Sequence, residues 1–177
     1  MNAKWAGIVV LTALGVGCGQ GRAIFNVDVQ SFLKPSGRDT VPYVVPPLTS
    51  AVASTVQRIN LPGVGSSIVD TVHAVGTARF INSGGSGTIQ LQLYVATDSA
   101  GTYNASALAI SLPPSSVPGP DVPINADLSS TVNSVFTASQ LWARVVAGGT
   151  NPGATTLQGK MVLTSLNLRI VVEDKLF

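Results

Sequence analysis

The stretch Thr88–Thr97, TIQLQLYVAT, switches between apolar and polar residues at almost every step. Ile89, Leu91, Leu93 and Val95 fall on one side, Gln90, Gln92 and Tyr94 on the other. Successive side chains of a strand point to opposite faces, so a period of two fits a strand with one buried and one wet face. A helix would scatter the same residues around its circumference. The pattern recurs along the chain. Ala23–Leu33 sets Phe25, Val27 and Val29 against Asn26, Asp28 and Gln30. Ser67–Asn82 is long and β-branched, with Gly76 at its middle as the mark of a bulge. Ala107–Leu112 and Leu141–Ala147 read as further strands. Ala51–Leu61 reads as a strand too, while Leu48, Val52 and Val56, four apart, also fit one face of a helix.

Proline and glycine divide these runs. Pro35, Pro42, Pro46 and Pro47 predict that Ser36–Leu48 is an extended loop or a sheet-edge piece. The run SGGSG at 83–87 predicts a hairpin loop, and DSAGTYN at 98–104 a turn. PPSSVPGPDVP at 113–123 predicts a crossover kept out of any sheet, and GGTNPG at 148–153 a turn. Asp127 stands where a cap would precede one short helix bearing Leu128, Val132, Val135 and Phe136. In Thr155–Phe177 the apolar residues change phase: Leu157, Met161 and Leu163 are odd, Leu166, Leu168, Ile170 and Val172 even. An extra residue near Thr164-Ser165 is needed to change phase, and a run this long suggests a strand passing from one sheet to the other. The fold expected is all-β: a two-sheet antiparallel sandwich of Ig/fibronectin-like character, seven to nine strands and one short helix, without a Cys-Trp-Cys signature. One domain, residues 23–177, accounts for the pattern, with no internal repeat.

Of the 177 residues 45% are hydrophobic and only 10% charged, the polar share falling to Ser, Thr, Asn, Gln and Gly. The net charge of +2 is spread without any basic run, so the counterion-displacing cluster that nucleic acid demands is missing, and nucleic acid is excluded as a partner.

The lone cysteine, Cys18, closes a leader. Met1–Lys4 is short and basic, Trp5–Leu14 is an uncharged apolar run too short to span a bilayer, and Gly15-Val16-Gly17 is a small-residue approach. Leu14-Gly15-Val16-Gly17-Cys18 resembles the lipobox of bacterial lipoproteins, with Gly15 standing where that family prefers leucine. The resemblance implies a signal peptide at 1–17, diacylglycerol and N-acyl (palmitate-type) chains on Cys18, and a short tether at 18–22. It also implies an outer-membrane address, periplasmic or surface-exposed, because Gly19 replaces the aspartate of inner-membrane retention. More than one acyl chain makes such anchoring effectively permanent. A single thiol allows no intrachain disulfide.

Catalytic chemistry is poorly supplied. His73, the single histidine, lies near Asp70 in a strand-like segment, and no G-x-S-x-G elbow is present. Zinc lacks ligands. Calcium has weak oxygen candidates in Asp121, Asn125 and Asp127, and in Asp98 with Asn104, residues that equally build turns and caps. Glu173 is the only glutamate, so no carboxylate pair for glycoside hydrolysis is suggested. Trp142, Arg144 and Val146 share one strand face as a candidate binding patch through cation–π stacking, and Arg169 shares another with Asn167 and Ser165. The expected function is that of a lipid-anchored, non-enzymatic envelope protein, a structural or interaction module without a cofactor. Two alternatives are a glycan- or protein-binding adhesion module and a surface subunit assembling through sheet edges.

Overall fold

A computed structural model describes residues 22–61, 68–129 and 135–173. The leader with Cys18, the Pro62-Gly63 turn and the middle of the helix expected after Asp127 lie outside the described residues. Alternation becomes strand after strand: β1 (Arg22–Asp28), β2 (Thr40–Val45), β3 (Thr49–Asn60), β4 (Ile68–Gly84) and β5 (Gly87–Ala96). They are followed by β6 (Leu108–Ser111), β7 (Ser115–Val117), β8 (Val122–Asp127), β9 (Gln140–Asn151) and β10 (Leu157–Glu173). One sheet runs β1-β10-β4-β8, with β2 also on β10; the other runs β3-β9-β5-β6, with β7 also on β5. The expected two-sheet antiparallel sandwich with one short helix is what the chain forms.

The pairs β2·β10, β3·β9, β4·β8 and β5·β6 nest inside one another. First meets last, second meets next to last, as in one long hairpin rolled into two layers. That is the connectivity of a jelly roll, in which the chain changes sheet at nearly every connection. The sheets of an immunoglobulin domain are ordered differently, so within the sandwich class the Ig/fibronectin-like character gives way to this order.

The connections are where sequence and structure part. SGGSG closes no hairpin: β4 and β5 lie in different sheets, and Gly85-Ser86 carries the chain across the end of the sandwich. Gly85 has φ +67°, and a Cβ there would lie 2.8 Å from Leu157 Cα. Alternation fixes which face a strand buries; it does not choose the neighbour. β10 likewise stays in one sheet, its length used by two successive partners on one side, β2 against 157–162 and β1 against 167–173. The proline-rich segment is not wholly outside the sheets: β7 lies in it, and β8 begins in it at Val122, with Pro123 as its second residue. Both are edge strands, where a missing N–H costs no ladder bond. GGTNPG is mostly strand, because β9 continues to Asn151.

A short helix, α1 (Val29–Leu33), follows β1 where alternation had predicted strand as far as Leu33. β1 stops at Asp28, whose carboxylate accepts the Ser31 N–H at 3.2 Å, and Val29 and Leu33, four apart, are buried together. Residues 135–137 form a turn. The bulge is where the phase change demanded it. Leu163 pairs with Ala78 and Ser165 with Thr77, leaving Thr164 as the extra residue.

Between the sheets pack Ile89, Leu91, Leu93 and Val95 from β5, Leu141 and Val145 from β9, and Met161, Leu166 and Ile170 from β10. The inter-sheet void lined by Leu91, Ile110, Ile124 and Leu166 measures only about 10 Å³, no room for a ligand. At the end where the sheets exchange strands, buried Asn151 ties the crossings together. Its Nδ2 donates to the carbonyls of Val45 (3.0 Å), Pro46 (3.2 Å) and Thr155 (2.9 Å), while its Oδ1 accepts the Gly153 N–H at 2.9 Å. No helix among the described residues is long and apolar enough to cross a membrane.

Candidate binding face

Because Leu141, Ala143, Val145 and Ala147 face the core, Trp142, Arg144, Val146 and Gly148 of β9 face outward. The ladder sets Arg144 between Val56 of β3 and Tyr94 of β5, and Trp142 between Arg58 and Ala96. Arg144 Cζ lies 4.1 Å from the centre of the Tyr94 ring and 4.5 Å from that of Tyr103. Tyr103 comes from a 3-10 turn, Gly101–Tyr103, in the β5–β6 connection. That turn is braced: Asp98 Oδ1 accepts the Gly101 N–H at 2.7 Å, and the buried Thr102 hydroxyl donates to the Ser99 carbonyl at 2.7 Å. The Thr102 carbonyl in turn accepts from Arg144 Nε at 3.0 Å. The guanidinium is thus held by one hydrogen bond and two rings. Its Nη hydrogens have no acceptor among the described residues, and an arginine offers five N–H donors in a planar fork.

Trp142 and Arg144, expected on one strand face, share it, both half-buried. The rings that meet the cation are Tyr94 and Tyr103. Tyr94 was legible as the outward residue of its strand; Tyr103, 63% exposed, carries no periodic signal because it sits in a turn. Val146, on the same face, is buried, so the patch ends there.

About two residues beyond Val146 on β9 the face opens again. A shallow groove of about 180 Å³ lies over Gly148, lined by Ser50, Val52, Thr88, Gln90, Pro114 and Thr150. None of these is charged. Gln90 is fixed by hydrogen bonds from its Nε2 to the Leu112 carbonyl (2.9 Å) and the Ser111 hydroxyl (3.1 Å).

The calcium candidates do not converge. Asp121 is held by Arg79 through Nε (2.8 Å) and Nη2 (2.7 Å), and that hydrogen-bonded pairing lowers its pKa. Asp127 accepts the backbone N–H and the hydroxyl of Ser129, which lower its pKa in the same way. Asn125 lies between them on β8, opposite Val75. Six residues of strand separate the two aspartates, about 20 Å, far beyond a shared ion at 2.3–2.6 Å from its ligands. Asp98 and Asn104 flank the turn that bears Tyr103, and the Asn104 N–H caps it on the Gly101 carbonyl.

His73 faces Asp127 across the β4·β8 ladder and Arg169 across β10. Ser129 is nearby, but its hydroxyl donates to the carboxylate and accepts the Val72 N–H at 3.0 Å. A triad needs the serine on the imidazole, and this serine is committed elsewhere. Asn167 and Arg169 are exposed on the outer face of the β10 sheet. At its margin Arg22 pairs with Glu173 and Asp70.

No family model matches the chain, and no curated protein does. Among solved structures, it is similar to "Structure of infectious bursal disease virus Gx strain" at 8% identity and a TM-score of 0.44, over 94% of this chain and 37% of that one. It is also similar to "Structure of TmCBM61 in complex with beta-1,4-galactotriose" at 9% identity and a TM-score of 0.29, over 80% of this chain and 88% of that one.

Proposed function

We propose that this chain is a non-enzymatic binding module of the cell envelope, held at the outer membrane by acyl chains on Cys18, which engages a glycan with the outer face of the β3-β9-β5-β6 sheet. The observation that carries the reading is Arg144, oriented by Tyr94, Tyr103 and the Thr102 carbonyl, its Nη hydrogens without an acceptor among the described residues. Exposed Tyr103 offers a ring face to the apolar side of a sugar, and Arg144 offers paired donors to its oxygens. The groove over Gly148 adds neutral hydroxyl and amide groups suited to further hydroxyls. A packed core leaves the surface as the place for recognition.

Binding of the full chain to a panel of neutral and acidic oligosaccharides tests the face. Tyr103→Ala and Arg144→Met are each expected to weaken binding about tenfold or more, the cost of roughly 1.4 kcal/mol. Binding unchanged in both variants, or no binding to any member of the panel, overturns the glycan reading. The anchor has its own test. Cells fed a palmitate analogue are expected to label the parent chain and to leave Cys18→Ser unlabelled; equal label in the two removes the anchor from the proposal.

A further inference from the structure

We infer that β3 is a self-pairing edge, joining two copies of this chain through an antiparallel β3·β3 ladder. Every sheet edge presents unpaired N–H and C=O groups, and proteins blunt such edges with proline, charge or brevity. Among the described residues, each of the other edges carries such a device. β1 bears Arg22 and Asp28, β2 bears Pro42, β8 bears Pro123, and β6 and β7 are four and three residues long. β3 has no proline and is not short, and α1 lies beside it. The strand runs twelve residues, TSAVASTVQRIN, in unbroken register with β9, and its one charge, Arg58, lies near its end. Side chains from the turn before β2 reach it only at the Thr55 hydroxyl (from Arg38, 3.4 Å) and the Gln57 amide oxygen (from Ser36, 3.3 Å). Among the described residues, no backbone–backbone hydrogen bond outside the β9 ladder involves residues 49–60, and the Arg58 carbonyl accepts from Gln57 Nε2 at 3.1 Å.

The strand's own sequence selects a second copy as the occupant. A two-fold axis at Ser54 sets Val52 against Val56 of the other copy twice over on the outer face, and Arg58 against Ser50. Val52 is 72% exposed in the single chain, and β-branched pairs across strands are favourable. The two Arg58 side chains then stand about 26 Å apart along the ladder, beyond the roughly 8 Å screening length of physiological salt. The strand therefore matches itself without like-charge repulsion. The resulting sheet is continuous across both copies, β6-β5-β9-β3 followed by the same order reversed. Chains confined to one membrane surface would pair at a raised effective concentration.

Cysteine cross-linking of the full chain in its membrane reads this register. Residues facing each other on the axis of an antiparallel pair have Cα atoms about 4.5–5.5 Å apart, within disulfide range. Under mild oxidation Ser54→Cys is expected to give a covalent dimer. Ser50→Cys, equally exposed but about 26 Å from its own mate, is expected to give no more than the parent. Adding V52K/V56K to Ser54→Cys brings like charges together across the axis and is expected to abolish the dimer; V52K/V56E brings opposite charges together and is expected to keep it. Equal cross-linking at 50 and 54, none at 54, or the same result from both charge pairs overturns the proposal.

Discussion

Replacing Asn151 by aspartate is expected to destabilise the fold by about 3–5 kcal/mol, the scale of a buried charge left without a partner. The residue is 1% exposed, and its amide nitrogen faces three carbonyl oxygens, of Val45, Pro46 and Thr155. An amide has two N–H groups to serve the three, one of them shared. A carboxylate donates to none, and its negative charge would face three partial negative charges away from water. The variant escapes part of the penalty by staying protonated in the fold, so its folded pKa is raised above the ordinary value near 3.9. The sign follows: the unfolded chain releases the proton as pH rises through about 4 and the folded chain holds it, so the deficit grows with pH above that point. Below it, one carboxyl O–H remains able to donate and the deficit is smaller. Thermal melts from about pH 3 to 8 check this. At neutral pH the midpoint is expected roughly 10 °C or more below that of the parent, at about 2–4 °C per kcal/mol for a chain this size. A gap that does not narrow in acid would mean that charge is not the cause.

Asn151 also marks the limit of what the sequence discloses. The inward set Ile89, Leu91, Leu93 and Val95 could be read directly, because a face is a local property of a strand. So could the phase change between Leu163 and Leu166, since hydrophobic residues cannot switch sides of a ladder without an added residue. The partner of a strand is not local. β4 and β5 look like a hairpin because two residues separate them, yet both sides of each strand are taken by others. β8 was hidden by Pro123 and by an aspartate that resembled a helix cap, although an edge position tolerates both. The binding face was half legible for the same reason. Trp142, Arg144 and Tyr94 follow from alternation, whereas Tyr103 and the opening over Gly148 depend on where a turn and a glycine come to rest.

Gly76→Ala is expected to cost about 3 kcal/mol, the upper end of what overpacking a tight site does, although alanine is the smallest change available. Gly76 lies in β4 opposite Leu166, beside the bulge at Thr164. A Cβ on it would collide with the Ser165 carbonyl oxygen and stand 3.0 Å from Leu166 Cα and 3.1 Å from Ser165 C. All three are backbone atoms in the central ladder, so no side-chain rotation relieves the contact. The strands must separate where β10 changes phase, and that phase change puts Leu166, Leu168, Ile170 and Val172 into the core. Gly148→Ala is the matched comparison. It too lies in a central strand, but its Cβ would meet only the Gln90 carbonyl oxygen at 4.0 Å. Losing glycine's backbone freedom there is expected to leave stability unchanged or raise it by roughly 0.5 kcal/mol. Urea titrations of both variants, with slopes equal to the parent's, separate the two outcomes by their midpoints. If both glycines tolerate alanine alike, the close approach at Ser165 does not hold the bulge. Deleting Thr164 removes the extra residue itself, so whichever way Gly76→Ala falls that deletion is expected to turn Leu166, Leu168, Ile170 and Val172 toward water and abolish the fold.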